Sequence, residues 1–126
     1  MTFITHEAYL ATVPPEVRPL LEAIQREVER VMPDAQRCIS YQMPAYRTGQ
    51  KKGRVFFYFA AFKKHIGVYP PVHDPALLTD LTPWRGPKDN LIFPLKDDLP
   101  IALIGRVAQA PARQYKAAAS TTPGAG

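Results

Sequence analysis

The side chains able to do chemistry are few and poorly grouped. A serine or cysteine nucleophile needs a histidine base and an orienting acid within reach. Ser40 and Cys38 lie close together in the chain, but His65 is the one histidine placed to approach them, and no acid accompanies it. Asp97-Asp98 resembles a catalytic pair in type only; with Pro100 behind it, the pair reads as the cap of a helix. His73-Asp74 is the nearest thing to a ligand pair, yet adjacent side chains diverge. Cys38 has no CxxC or HxxxH partner spacing and reads as a structural thiol. Gly49 and Gly53 flank lysines without the spacing of a phosphate-binding loop. The sequence thus names no catalytic residue.

A hard cation held by carboxylates requires several oxygens to converge on it. On the long helix expected after Pro15, Glu16, Glu27 and Asp34 fall along one edge of the apolar stripe, and Glu22 and Glu29 along the other. Glu16 and Glu27 are roughly 16 Å apart along the axis, and Glu22 and Glu29 roughly 10 Å. Arg18, Arg26 and Arg30 stand between those edges.

A different chemistry is concentrated further on. Between Ala35 and His73 there are seven basic residues, Arg37, Arg47, Lys51, Lys52, Arg54, Lys63 and Lys64, and no acid. The net charge of +5 is correspondingly uneven, with −3 over residues 1–36 (three bases, six acids) and +8 over 37–126 (thirteen bases, five acids). Such asymmetry steers an acidic protein, a nucleic acid or an anionic small molecule toward the basic part. Tyr41, Met43, Tyr46, Tyr58 and His65, with Tyr69 and Trp84, are candidates for an apolar ligand wall, and Lys88 or Arg85 for its charge. Tyrosine and tryptophan are equally good core residues, so a core role for the same set stays open. Nucleic-acid stacking is the less favoured use of these aromatics.

These residues must be positioned by one small domain. With 126 residues and 46% hydrophobic content, a single core is affordable and a second is not, so residues 1–116 form the expected domain and 117–126 a flexible tail. No apolar run approaches the ~18–20 residues of a membrane span, no signal-peptide pattern opens the chain, and one cysteine suits a reducing compartment. The expectation is a cytoplasmic protein that does not engage a membrane.

Thr5 caps a short helical turn over 6–12, and Pro14-Pro15 precedes the main helix, whose apolar positions Val17, Leu20, Leu21, Ile24, Val28, Val31 and Met32 share one arc. Period two then marks Ile39, Tyr41 and Met43 as one strand stopped by Pro44. Arg54–Phe62 is apolar on both faces and reads as a central strand, followed by strands at 65–69 and 91–95. The segment 72–89 reads as a short helical turn and loop that could lid the sheet. A second helix follows Asp98, with Ile104, Val107 and Ala108 inward and a break or kink at Pro111. The fold class is therefore α+β, a two-layer sandwich with a four-stranded antiparallel sheet and both terminal helices on one face.

The segments Glu7-Ala8-Tyr9-Leu10, Val13-Pro14-Pro15-Glu16-Val17-Arg18, Ile39-Ser40-Tyr41-Gln42-Met43-Pro44-Ala45-Tyr46, Phe59-Ala60-Ala61-Phe62-Lys63-Lys64-His65-Ile66-Gly67 and Phe93-Pro94 resemble the YdhG-like family of domains of unknown function. The resemblance covers residues 5–110. It implies a frataxin-like fold and an intracellular iron chaperone's role, with iron as cargo and iron–sulfur or haem assembly proteins as partners. Where the family shows a Ser-Lys-Gly-Thr-like run, this chain has Pro87-Lys88-Asp89-Asn90, keeping the lysine and replacing the glycine and threonine. From resemblance and residues together, the expected function is a non-enzymatic iron-handling accessory. The alternative is a module that binds a small aromatic or anionic ligand, or an anionic partner, on the basic aromatic sheet face; an uncharacterised enzyme is the third and least favoured reading.

Overall fold

The computed structural model describes residues 5–49, 53–69, 74–86 and 90–120, with side chains as far as residue 110. Helix α1 (His6–Leu10) starts where the Thr5 hydroxyl accepts a hydrogen bond from the Ala8 amide at 3.0 Å. Helix α2 (Arg18–Val31) carries Pro19 in its first turn, where a missing N–H leaves no hydrogen bond unmade. Leu21, Ile24 and Val28, spaced at three and four residues, are fully buried along it.

The region read as one strand is a hairpin. Strands β1 (Gln36–Ser40) and β2 (Met43–Arg47) pair antiparallel from Ser40↔Met43 to Gln36↔Arg47, joined by only Tyr41 and Gln42. Both joining residues are left-handed, with φ of 52° and 62°, the signature of a type I′ turn. Asn-Gly normally announces that turn; Tyr-Gln does not, and the alternation ran straight through it. Pro44 does not stop the strand either. In a two-residue hairpin the pair flanking the turn exchanges hydrogen bonds and the next pair, Ile39↔Pro44, does not, so the missing N–H points away from β1. Pairing with β3 begins only at Ala45.

Strands β3 (Val55–Ala61), β4 (His65–Tyr69) and β5 (Leu91–Pro94) complete the sheet. Among the described residues it has five strands rather than the expected four, in the order β1-β2-β3-β4-β5, with every neighbouring pair antiparallel. Between β4 and β5 lie α3 (Pro75–Asp80), capped by the Asp74 carboxylate, and a 3₁₀ turn at Thr82–Trp84. Helix α4 (Ile101–Ser120) closes the fold and passes through Pro111 without ending. Helix α4 runs on to Ser120, into the segment expected as a tail; residues 121–126 lie outside the described residues.

Cross-strand partners share a face, so the register sorts the sheet into two sides. Tyr46↔Phe57, Phe59↔Val68 and Ile66↔Phe93 line the side that packs, with Leu21, Ile24, Val28 and Ile104, beneath the helices. Ala45↔Tyr58↔Tyr69 and Ala60↔Gly67↔Ile92 line the other. Helices α2 and α4 meet closely at Gly105, where an added Cβ would lie 2.5 Å from Glu27 Oε2. No helix among the described residues is long and apolar enough to cross a membrane.

Candidate functional site

The helix-free face concentrates its exposed aromatic surface at one end. Extending the register Ala45↔Tyr58 brings the Tyr41–Gln42 tip to the end where β3 turns through Lys63-Lys64 into β4. Tyr41 is 82% exposed and Phe62 44%, whereas Ala45 and Ala60, and Phe56 toward the opposite end of β3, are buried. The Tyr41 ring sits 5.8 Å from that of Tyr58, which pairs directly with Tyr69. Phe62 stacks on His65 at 4.8 Å with an interplanar angle of 21°. Gly67 leaves room beneath them: a Cβ there would lie 2.8 Å from Tyr69 Oη and 3.0 Å from Phe62 Cε2, so both rings would have to shift. Exposed Lys63 and Lys64 rim this end. Planar rings, a half-buried imidazole and two ammonium groups can stack on an aromatic body and neutralise an anion.

The candidate residues therefore separate. Tyr41 and Tyr58 meet on the helix-free face, His65 stacks on Phe62 on the same face, and Met43, half-buried, lies beside the tip on that side by alternation. Tyr46 does not belong with them. It is fully buried on the helix side, where its hydroxyl donates to Glu29 Oε2 at 2.5 Å. Alternation along β2 is the reason: Met43 and Ala45 take the helix-free face, and Tyr46, the next residue in the strand, takes the other. Trp84 packs 5.8 Å from Phe93, also on the helix side, and α3 packs against α4, so these two lie away from the helix-free face, whereas Gly86 sits close to Ile92 on it. Lys88 lies outside the described residues.

Sequence reasoning missed a buried polar cluster that anchors the hairpin to the helices. His6 is 1% exposed, and its Nε2 is 3.1 Å from the Cys38 carbonyl oxygen and 2.9 Å from that of Ala45. Both carbonyls can only accept, so Nε2 carries the proton and Nδ1 accepts from Gln25 Nε2 at 2.9 Å. Burial lowers the imidazole pKa from its usual 6.5, partly opposed by the carbonyl contacts. Alongside, Glu29 Oε2 accepts from both Tyr46 and Arg37 Nε (2.7 Å), and Arg37 Nη1 donates to Glu7 at 2.9 Å. Burial raises the Glu29 pKa, but those donors outweigh it and hold the carboxyl below its usual range. Burial and the adjoining carboxylate push the Tyr46 phenol far above its usual range. Burial likewise raises the Cys38 thiol, keeping it from being a ready nucleophile. One signal for this cluster was available: Gln25 stands four residues after Leu21 and three before Val28, inside the apolar stripe.

Several carboxylates that could hold iron, the cargo implied by resemblance, are already engaged. Glu27 is held by Arg30 at 2.8 Å, Glu29 and Glu7 by Arg37, and Asp80 by Arg106 at 2.9 Å. Asp74 is committed to capping α3. Among the described residues no three His, Cys, Asp or Glu side chains converge as a metal site.

No protein-family model matches the chain, and no curated protein sequence matches it. A solved structure does. It is a protein of the DUF1801 family, YdhG from Bacillus subtilis, which superposes with a TM-score of 0.69 over 94% of each chain at 15% sequence identity. At that identity the likeness is one of fold, and this α+β chain with its antiparallel sheet has the fold of that DUF1801 protein.

Proposed function

We propose that this is a cytosolic, non-enzymatic binding domain of the YdhG-like kind, and that the basic end of its helix-free face takes a small planar anion. The observation that carries the proposal is the Tyr41–Tyr58–Tyr69 row ending at an exposed tyrosine on a left-handed, glycine-free turn. Two non-glycine residues in that conformation cost on the order of 1 kcal/mol each, a strain of the sort that clusters at working surfaces. Lys63 and Lys64 at the same end provide the charge for the anion. Arginine-paired carboxylates on the other layer favour this reading over iron handling.

Calorimetric titration with benzoate and with adenosine monophosphate tests it. Saturable binding is expected, and Tyr58→Ala should weaken it about tenfold, the loss of one stacking ring worth ~1–3 kcal/mol. Equal affinity in the variant, or no saturable binding to the folded protein, contradicts the proposal.

A further inference from the structure

A groove of about 580 Å³ opens on the helix side of the same end of the sheet, between the loop that leads into α2 and the β3–β4 turn. Its floor is apolar: Val13 and Val17 are buried, and Leu20 and Leu95 are half-buried. Polar groups in the floor are already used. The Thr12 hydroxyl donates to the Tyr9 carbonyl at 2.7 Å, and the Tyr9 hydroxyl accepts from the Ala61 amide at 3.0 Å. The rim differs. Glu16 lines the helix-layer wall and Lys63 the sheet wall, both exposed. Neither takes part in the ion pairs described for this chain, in which Glu27, Glu29, Glu7 and Asp80 are matched by arginines.

An apolar trough with one negative and one positive rim is complementary to a molecule with an apolar body and both charges at one end. We propose that this groove is a binding site for apolar α-amino acids, with the ligand carboxylate at Lys63, its ammonium at Glu16 and its side chain on Val13, Val17, Leu20 and Leu95. Each rim charge forms a charge-assisted hydrogen bond, and the volume falls in the range of small-molecule sites. The groove opens on the helix side but shares Phe62 and Lys63 with the helix-free face, so its ligand and the planar anion compete for the Lys63 charge.

Calorimetry of the full chain with L-leucine, N-acetyl-L-leucine and L-leucinamide tests the proposal. Leucine should bind saturably, and blocking either charge should weaken binding about tenfold. Glu16→Gln should erase the preference for leucine over N-acetyl-leucine while keeping that over leucinamide; Lys63→Met should do the reverse. Both positions are exposed, and circular dichroism checks that the variants fold. Absence of saturable binding by leucine, phenylalanine and methionine to the folded wild type overturns the site. So do blocked ligands that bind as tightly as leucine, or variants that leave both preferences intact.

Discussion

Replacing His6 by alanine probes the buried cluster at its centre. The imidazole N–H shared between the Cys38 and Ala45 carbonyls is worth about 1 kcal/mol net. Its loss also leaves the Gln25 amide, 5% exposed, without its acceptor, a further ~1–2 kcal/mol. The ring makes edge contacts with Tyr46 at 5.2 Å and Phe59 at 5.9 Å, which alanine replaces by a void costing about 1 kcal/mol more. The sum, about 3–4 kcal/mol, is a large part of the 5–15 kcal/mol that holds a domain of this size together. Urea unfolding followed by circular dichroism measures it. The companion variant His6→Leu/Gln25→Leu removes both polar partners and should recover about half of the loss, because an unsatisfied buried donor costs more than an absent one. A loss below about 1 kcal/mol in His6→Ala, or a double variant weaker than the single, would refute the reasoning.

Other expectations follow from the same contacts. Because the folded-state pKa of His6 lies below 6.5, the unfolded chain binds its proton first. Its contribution should be complete above pH 6.5 and decline as pH falls below that value, in a urea series where His6→Ala shows no such slope. The depressed Glu27 and Glu29 carboxyls act lower, their stabilisation waning only below about 4.5. Tyr46→Phe should cost about 1–2 kcal/mol by the same assay, since Glu29 keeps Arg37 and its side chain is 38% exposed to water. Tyr41→Asn with Gln42→Gly installs the sequence a type I′ turn prefers and should raise stability by about 1 kcal/mol in urea while weakening ligand binding in calorimetry.

Where one residue period dominated, the fold was legible in the sequence. Helix α2 showed itself through Leu21, Ile24 and Val28, and β3 through a run apolar on both faces. The hairpin escaped notice because Tyr41-Gln42 lacks the glycine or asparagine that left-handed φ normally demands, and because Pro44 sits in the one pair where its missing N–H does no harm. That single turn changed the strand count, while Tyr46 took the core side because it alternates with Ala45 along β2. His6 was invisible for a different reason. A five-residue helix has too few turns to display a buried face, and the groups it grips, two backbone carbonyls and Gln25, lie 19 to 39 residues away. The basic aromatic character of the 35–73 stretch was legible; which face each aromatic would take depended on register.

The central claim is that the Tyr41–Lys64 end of the helix-free face is the binding surface. Backbone amide chemical-shift mapping during titration with adenosine monophosphate tests it most directly. Shifts that saturate together and cluster at Tyr41, Tyr58, Phe62, Lys63, Lys64 and His65 are the predicted result. Shifts confined to the helix layer, or scattered over the surface without saturation, contradict it.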